Sequence, residues 1–193
     1  MEKIDPRLIL IQVAKILDDL EIPYIVTDGI AVLVWGRPRF TADVDIIVEM
    51  KESKVDVLKN ALMSLSEYGY IDRDAMIEAL KNKGEFNFID GFTGVKVDFW
   101  VTRGGELGQL EFKRKKIKTI LRKKVNFISP EDLILRKLVW YKESQSSRHL
   151  EDVHSVLKIS NDIIDKKYLK KTAIKLNVLD ELNSLLKDNG KSN

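Results

Sequence analysis

Two aspartates, Asp43 and Asp45, lie in the segment VTDGIAVLVWGRPRFTADVDIIVE (residues 26–49), within a run that is otherwise as apolar as a buried strand. Residues two apart in a strand point to the same face, so the two carboxylates project side by side while Val44 and Ile46 face the core. Like charges in a partly buried place repel unless a cation compensates them. A hard cation such as Mg²⁺ accepts one or two carboxylates and completes its shell with water and substrate phosphates. The spacing is therefore compatible with metal-dependent chemistry on a phosphate compound.

A third carboxylate, Asp98, is the odd residue of another apolar run, VKVDFWV (residues 95–101). If the two strands are neighbours in a sheet, Asp98 lies next to Asp43 and Asp45. Three carboxylates can hold two metal ions roughly 3.5–4 Å apart, one activating an attacking hydroxyl and the other stabilising a triphosphate and its leaving group. The pattern then predicts phosphoryl or nucleotidyl transfer.

The same acids also have a purely structural interpretation. Asp43 could cap the strand entry after Thr41, and Asp45 could pair with an arginine such as Arg39. Asp98 would then sit exposed on a hairpin. Spacing alone leaves both interpretations open.

The elements that would position these acids can be read from helix caps and from hydrophobic periodicity. Asp5-Pro6 and Ser129-Pro130 each combine a capping side chain with proline at the first helical position, which is typical of a helix start. Strands are indicated by short β-rich runs with alternating polarity. We expect an α/β part over residues 1–128 and a C-terminal helical segment over residues 129–193. The predicted helices are 6–21, a short one after Asp28-Gly29, 53–66, 73–82, 130–142, 147–159, 165–175 and 178–188, and the predicted strands are 23–27, 43–50, a hairpin of 85–90 with 95–101, and 125–128.

Composition excludes several classes of protein. The chain has 193 residues, of which 44% are hydrophobic and 33% charged, as in a globular protein with a densely charged surface. It has no cysteine, which rules out disulfides and thiolate metal sites. No apolar run approaches the roughly 20 residues that span a bilayer, and the amphipathic, acidic start is unlike a signal sequence. We expect a cytoplasmic protein with no membrane partner, and the sequence indicates no oligomeric state.

A local basic cluster stands out against a net charge of only +3. The stretch EFKRKKIKTILRKK (residues 111–124) carries eight of the 33 lysines and arginines. It is either a solvated strand pair or loop, or a surface for a phosphate-rich partner such as a nucleotide or nucleic acid.

Three segments in a fixed order resemble a known superfamily. After the glycine turn come PRFTADVDIIVE (residues 38–49), GVKVDFWV (94–101) and SPEDLILRKLVWYKESQSSRHLEDVHSVL (129–157). Together they resemble the nucleotidyltransferases with the DNA polymerase β-type fold, and more narrowly the small abortive-infection type II (AbiEii/AbiGii) toxin-like nucleotidyltransferases. The resemblance runs from about residue 22 to 185.

The resemblance implies an α/β (α+β) palm, a mixed sheet flanked by helices, followed by the helical segment. Asp43 and Asp45 match the paired metal ligands and Asp98 the third carboxylate. The implied reaction uses Mg²⁺ or Mn²⁺ and moves a nucleoside monophosphate from a nucleoside triphosphate to a hydroxyl of RNA, tRNA or a partner protein. A toxin–antitoxin setting is implied as well.

Further residues match nucleotide-binding positions of such enzymes. Arg39 and Thr41 match a PR-x-T lead-in, in which the arginine can contact phosphate and the threonine can fix the turn. Lys137, in EDLILRKL, matches a lysine that can reach the nucleotide from the helical part. Its alternative is a lysine beside an apolar stripe with its head in water.

The turn after the first strand departs from the pattern. Members of this group usually carry Gly-Ser or Gly-Gly there, so that backbone N–H groups cradle the triphosphate. This chain has Asp28-Gly29. A carboxylate at Asp28 repels a triphosphate unless it turns away, binds a cation, or caps a helix beginning near Ile30. The alternative to an enzyme is therefore a catalytically degenerate module that keeps the fold and binds RNA or a partner protein.

Overall fold

The computed structural model describes residues 5–189, and its backbone divides between two units. Residues 5–30 and 40–127 form the first unit, whereas residues 31–39 and 128–189 form the second.

A mixed sheet of seven strands makes up the centre of the first unit. In chain order the strands are β1 (Tyr24–Thr27), β2 (Val44–Val48), β3 (Tyr70–Ile71), β4 (Glu85–Ile89), β5 (Lys96–Val101), β6 (Lys116–Ile120) and β7 (Lys123–Phe127). The order across the sheet is β3-β4-β5-β2-β1-β7-β6. The pairs β2/β5 and β1/β7 are parallel and the other four are antiparallel. The central strands β1 and β2 are almost wholly apolar because both of their faces are covered.

The first unit also contains helices. They are α1 (Pro6–Asp19), the start of α2 (Asp28–Trp35), α3 (Val55–Met63), α4 (Arg73–Asn82) and α5 (Gly105–Arg114). The side chain of Asp5 accepts a hydrogen bond from the Arg7 backbone N–H at 3.0 Å, which caps α1. The buried face of α1 contacts β2 and β7, and α4 contacts β4 and β5.

The second unit is helical. After the end of α2 it contains α6 (Pro130–Ser144), α7 (Ser147–Ile159), α8 (Lys166–Lys175) and α9 (Leu179–Asn189). The Ser129 side chain accepts from the Asp132 N–H at 3.1 Å and Pro130 occupies the first helical position, so α6 begins where the sequence predicts. α6 and α7 pack against each other, and the Trp35 indole N–H donates to the Ile128 carbonyl at 2.9 Å.

The predicted fold class is confirmed, with three local differences. The helix predicted over 53–66 is a short 3₁₀ turn followed by α3. The basic stretch forms the end of α5 and the β6–β7 hairpin. Neither α5 nor the two-residue strand β3 was predicted from the sequence. None of the helices within residues 5–189 is both long enough and apolar enough to cross a membrane.

Candidate active site

A row of polar residues crosses four strands of the sheet at one level. Asp45 on β2 is paired in register with Asp98 on β5, so the two carboxylates lie on adjacent strands and on the same face. The register continues outward from them, with Thr27 on β1 opposite Asp45 and Asn87 on β4 opposite Asp98. The adjacency predicted for Asp45 and Asp98 is therefore present.

Each of the two carboxylates has a neighbour on the same face of β5. The Trp100 indole N–H lies 3.4 Å from Asp45 Oδ1, and Lys96 Nζ lies 2.9 Å from Asp98 Oδ2. Asp45 is half-buried, and Asp98 is only 8% exposed. The alternative in which Asp98 sits exposed on a hairpin is wrong, because β5 lies between β2 and β4 inside the sheet.

Asp43 differs from the other two acids. It is exposed and precedes β2, and its backbone carbonyl accepts a hydrogen bond from the Thr41 hydroxyl at 3.4 Å. Within residues 5–189, no three acidic, histidine or cysteine side chains are grouped so that they could hold a metal ion. The structure thus brings Asp45 and Asp98 together in register, while Asp43 stands at the entry of the strand.

The ammonium of Lys96 contacts Asp98, which together with Asp45 forms what we call the acid row. Its pKa is raised above the usual value, first by the hydrogen bond to Asp98, against a smaller lowering by burial. The charges of Asp43 and Glu85 raise the pKa further, so Asp43 also acts on this ammonium. Lys96 therefore stays protonated and neutralises part of the acid row.

The residues present fit a divalent cation with oxygen ligands. Two carboxylates on adjacent strands match what Mg²⁺ or Mn²⁺ takes from a protein when phosphates complete the shell. The Thr27 hydroxyl, opposite Asp45, is fully buried and has no hydrogen-bond partner among the described residues. An unsatisfied buried oxygen opposite a carboxylate is expected where a water or an ion completes the site.

The turn between β1 and α2 approaches Thr41 closely. Helix α2 begins at Asp28 itself, not near Ile30 as predicted. Asp28 has a φ of 43°, in the left-handed region that few residues other than glycine adopt. A Cβ on Gly29 would lie 2.3 Å from Thr41 Oγ1, so only glycine permits this approach. The two predicted nucleotide-binding positions Gly29 and Thr41 are therefore in contact.

Two other predicted residues meet in the second unit. The Arg39 guanidinium donates two hydrogen bonds to Asp152, from Nε at 2.7 Å and from Nη2 at 2.8 Å. Lys137 Nζ lies 3.0 Å from Asp152 Oδ2 and is 2% exposed. The alternative that leaves the Lys137 head in water is wrong. A nucleotide contact by Arg39 or Lys137 stays a prediction.

Asp152 is the centre of this cluster. Burial alone would raise the pKa of its carboxyl, but the hydrogen bond from Arg39 and the charge of Lys137 outweigh burial and lower the pKa below its usual value. The carboxylate therefore stays ionised, and the three side chains form one buried charged group with a single excess positive charge.

Several of these residues were not predicted from the sequence. Thr27 and Asn87 read as ordinary strand positions, and only the register places them beside the acids. Lys96 carried a signal, because it lies two residues before Asp98 on the same strand face. Asp152 is part of the segment that carries the resemblance, but nothing in the sequence paired it with Arg39.

Solved structures of nucleotidyltransferases share this architecture. One is ANT(2")-Ia in complex with adenylyl-2"-tobramycin, which is 13% identical in sequence and superposes with a TM-score of 0.61. The match covers 89% of this chain and 97% of ANT(2")-Ia. The nucleotidyltransferase fold is the fold of this chain. The lincomycin-bound lincosamide antibiotic adenylyltransferase LnuA is 13% identical in sequence and superposes with a TM-score of 0.54. The match covers 81% of this chain and 98% of LnuA. An antigenic nucleotidyltransferase-like protein from Paracoccidioides brasiliensis is 16% identical, with 94% and 91% covered and a TM-score of 0.51.

Among the comparisons with known proteins, those of structure show this fold and those of sequence do not. No family model matches the sequence, and no curated protein matches it. At these identities the likeness shows the fold, while activity has to be argued from the site.

Proposed function

We propose that this protein is a nucleotidyltransferase that uses Mg²⁺ or Mn²⁺ to move a nucleoside monophosphate from a nucleoside triphosphate to a hydroxyl, releasing pyrophosphate. The observation that carries the proposal is the register of Asp45 with Asp98 on adjacent strands of a nucleotidyltransferase fold. Two neighbouring carboxylates at the centre of a sheet are costly for stability, and a bound cation would offset this cost. The narrower AbiEii-like assignment and the toxin–antitoxin setting stay predictions.

Asp45 and Asp98 would hold the divalent cation, with the Thr27 hydroxyl opposite Asp45, whereas Asp43, the predicted third ligand, is not grouped with them among the described residues. When bound, the cation would offset the charge of the triphosphate and favour ionisation of the attacking hydroxyl. The Gly29 backbone N–H lies in the first turn of α2 and would donate to a phosphate group there. Thr41 fixes the entry to β2, because its hydroxyl donates to the Asp43 carbonyl.

RNA is the acceptor that the surface of the first unit favours. The β6–β7 hairpin and the end of α5 expose lysines and an arginine, namely Lys113, Lys115, Lys116, Arg122, Lys123 and Lys124. Such a cluster attracts a polyanion such as tRNA through its phosphates, and this attraction weakens as salt is raised. A partner protein would not need this cluster, so it is the second candidate acceptor.

The proposal is tested by following label from each of the four α-labelled nucleoside triphosphates, in Mg²⁺ and in Mn²⁺, with total RNA and with whole-cell protein as acceptors. We expect label in RNA and a matching release of pyrophosphate. Labelling of RNA should fall as salt rises from 50 to 300 mM, on the order of tenfold or more if several phosphates are contacted. Absence of label in both acceptors with every nucleotide would contradict the proposal.

A degenerate module is the second candidate function, and Asp28 favours it. Its carboxylate stands at the turn where a triphosphate would approach the start of α2, and two like charges in contact weaken binding. Because its backbone has positive φ, the turn accepts glycine or asparagine without strain, so Asp28→Gly and Asp28→Asn remove the charge and keep the fold.

Calorimetry with Mg²⁺-ATP and Mg²⁺-GTP separates the two functions. If the protein is an enzyme, the wild type should bind at least one of the two nucleotides, and the affinity of Asp28→Asn should be higher by about tenfold or less. Binding that appears only in the two variants would instead support the module. The two variants also control for each other, because they share the loss of charge but differ in backbone freedom.

A further inference from the structure

Lys96 holds an unusual place on the acid row. It lies two residues before Asp98 on β5, so both side chains are on one face, and its ammonium is 2.9 Å from Asp98 Oδ2. The charge of Asp43 acts on the same ammonium. A positive charge therefore already contacts a carboxylate oxygen of Asp98, the group that a divalent cation would bind.

The two ends of this ion pair differ in freedom. Asp98 is 8% exposed and fixed by the central strand β5, whereas the Lys96 side chain is 42% exposed. A half-exposed lysine can swing its head into solvent while its stem stays on the sheet. The buried Lys137 of the second unit, at 2% exposure, has no such freedom. The Asp98–Lys96 pair can therefore open without unfolding the sheet.

We propose that Lys96 is the resident cation of the acid row: its ammonium neutralises Asp98 while no metal is bound, and a divalent cation that binds Asp98 displaces it. This inference rests on the proposed function in that Asp45 and Asp98 bind a divalent cation. A buried carboxylate without a counter-charge is costly, which is the reason for a resident cation. The metal has to break the ion pair, so Lys96 weakens binding of the bare ion.

The consequence concerns the order of binding. A bare divalent cation gains only the carboxylates and loses the ion pair of Lys96. A cation that arrives with a triphosphate brings phosphate ligands as well, which offset the lost pair. Lys96 thus favours occupation of the site by metal together with nucleotide over occupation by metal alone.

The test is a calorimetric titration of nucleotide-free protein with Mn²⁺. Lys96→Met keeps the length and apolar stem of the side chain and removes only the charge. We expect Lys96→Met to bind Mn²⁺ about tenfold more tightly than the wild type, because the metal no longer has to break a half-exposed, charge-assisted ion pair. Lys51→Met, at an exposed lysine just after β2, is the matched control and should bind as the wild type does.

Thermal unfolding gives a second readout that does not depend on activity. Without metal, Lys96→Met should melt below the wild type, because Asp98 loses its counter-charge. With saturating Mn²⁺ the difference should close, because the metal supplies the charge in both proteins. Equal melting temperatures of Lys96→Met and the wild type in the absence of metal would contradict the inference.

The outcomes separate this inference from the proposed function. If Lys96→Met binds Mn²⁺ no more tightly than the wild type, while Asp98→Asn abolishes binding in both backgrounds, Lys96 is not a resident cation and the metal site stands. If Mn²⁺ binding is absent from the wild type and from Lys96→Met, or is unaffected by Asp98→Asn and Asp45→Asn, the inference and the metal site of the proposed function both fail.

Discussion

Replacing Asp45 with asparagine is expected to lower the rate of nucleotidyl transfer by about 10³-fold and to leave the protein folded. The amide has the shape of the carboxylate but not its charge, so it cannot hold a divalent cation against a triphosphate. Asp98→Asn should have an effect of similar size, because Asp98 is the register partner of Asp45 on β5. The measurement is initial rates of label transfer at saturating metal and nucleotide, with circular dichroism to confirm folding.

Glu49→Gln is the matched control for Asp45→Asn. Glu49 follows β2 directly and is exposed. The substitution therefore removes one negative charge close to the same strand and leaves the acid row unchanged. Its rate should stay within about twofold of the wild type, as for a screened surface charge. Equal rates in the wild type and in Asp45→Asn would rule out the mechanism.

Replacing Asp152 with asparagine is expected to destabilise the protein by about 3–5 kcal/mol. The change leaves the buried Lys137 ammonium and the Arg39 guanidinium without the carboxylate that they share. Lys137→Met should cost less, because Asp152 keeps its two hydrogen bonds from Arg39. Urea unfolding at pH 7 of the wild type and both variants measures these differences.

The same substitution has a predictable pH dependence. The folded pKa of Asp152 is lowered, so its contribution to stability is fully present above the unfolded value of 3.8 and is lost as pH falls through the folded pKa. The gap in unfolding free energy between wild type and Asp152→Asn should therefore shrink below about pH 4. Glu151→Gln, an exposed neighbour on α7, is the control and should change stability by less than about 0.5 kcal/mol. A gap that is constant down to pH 2, or an Asp152→Asn variant as stable as Glu151→Gln, would contradict the buried cluster.

Local chemistry made most of the fold predictable from sequence. The caps at Asp5 and Ser129 marked the starts of α1 and α6. A side-chain oxygen that caps the first backbone N–H groups, followed by proline at the first helical position, is typical of a helix start. α5 was missed because it opens with Gly104 and Gly105, both with a φ of 70°, and two glycines read as a loop. β3 was missed because two residues carry no periodicity.

The site was predictable only in part, because register is a tertiary property. Strand alternation placed Asp45 and Asp98 on polar faces of their strands, but only the parallel β2/β5 pairing makes them partners. Neither Thr27 nor Asn87 differs by type from other strand residues. Lys137 looked like a surface lysine because its buried partner, Asp152, comes fifteen positions later in the chain, on the next helix.

The basic hairpin has a second role that follows from its place in the sheet. β6 is an outermost strand, and an outermost strand offers unpaired backbone groups to any other extended chain. Ile117 is 62% exposed on β6, so its flanking lysines, Lys116 and Lys118, are what discourages strands of other molecules from adding there. Replacing these lysines with apolar residues would therefore promote self-association, and it would also weaken the proposed binding of RNA. Glutamine or glutamate variants keep the edge hydrophilic, and they separate solubility from recognition.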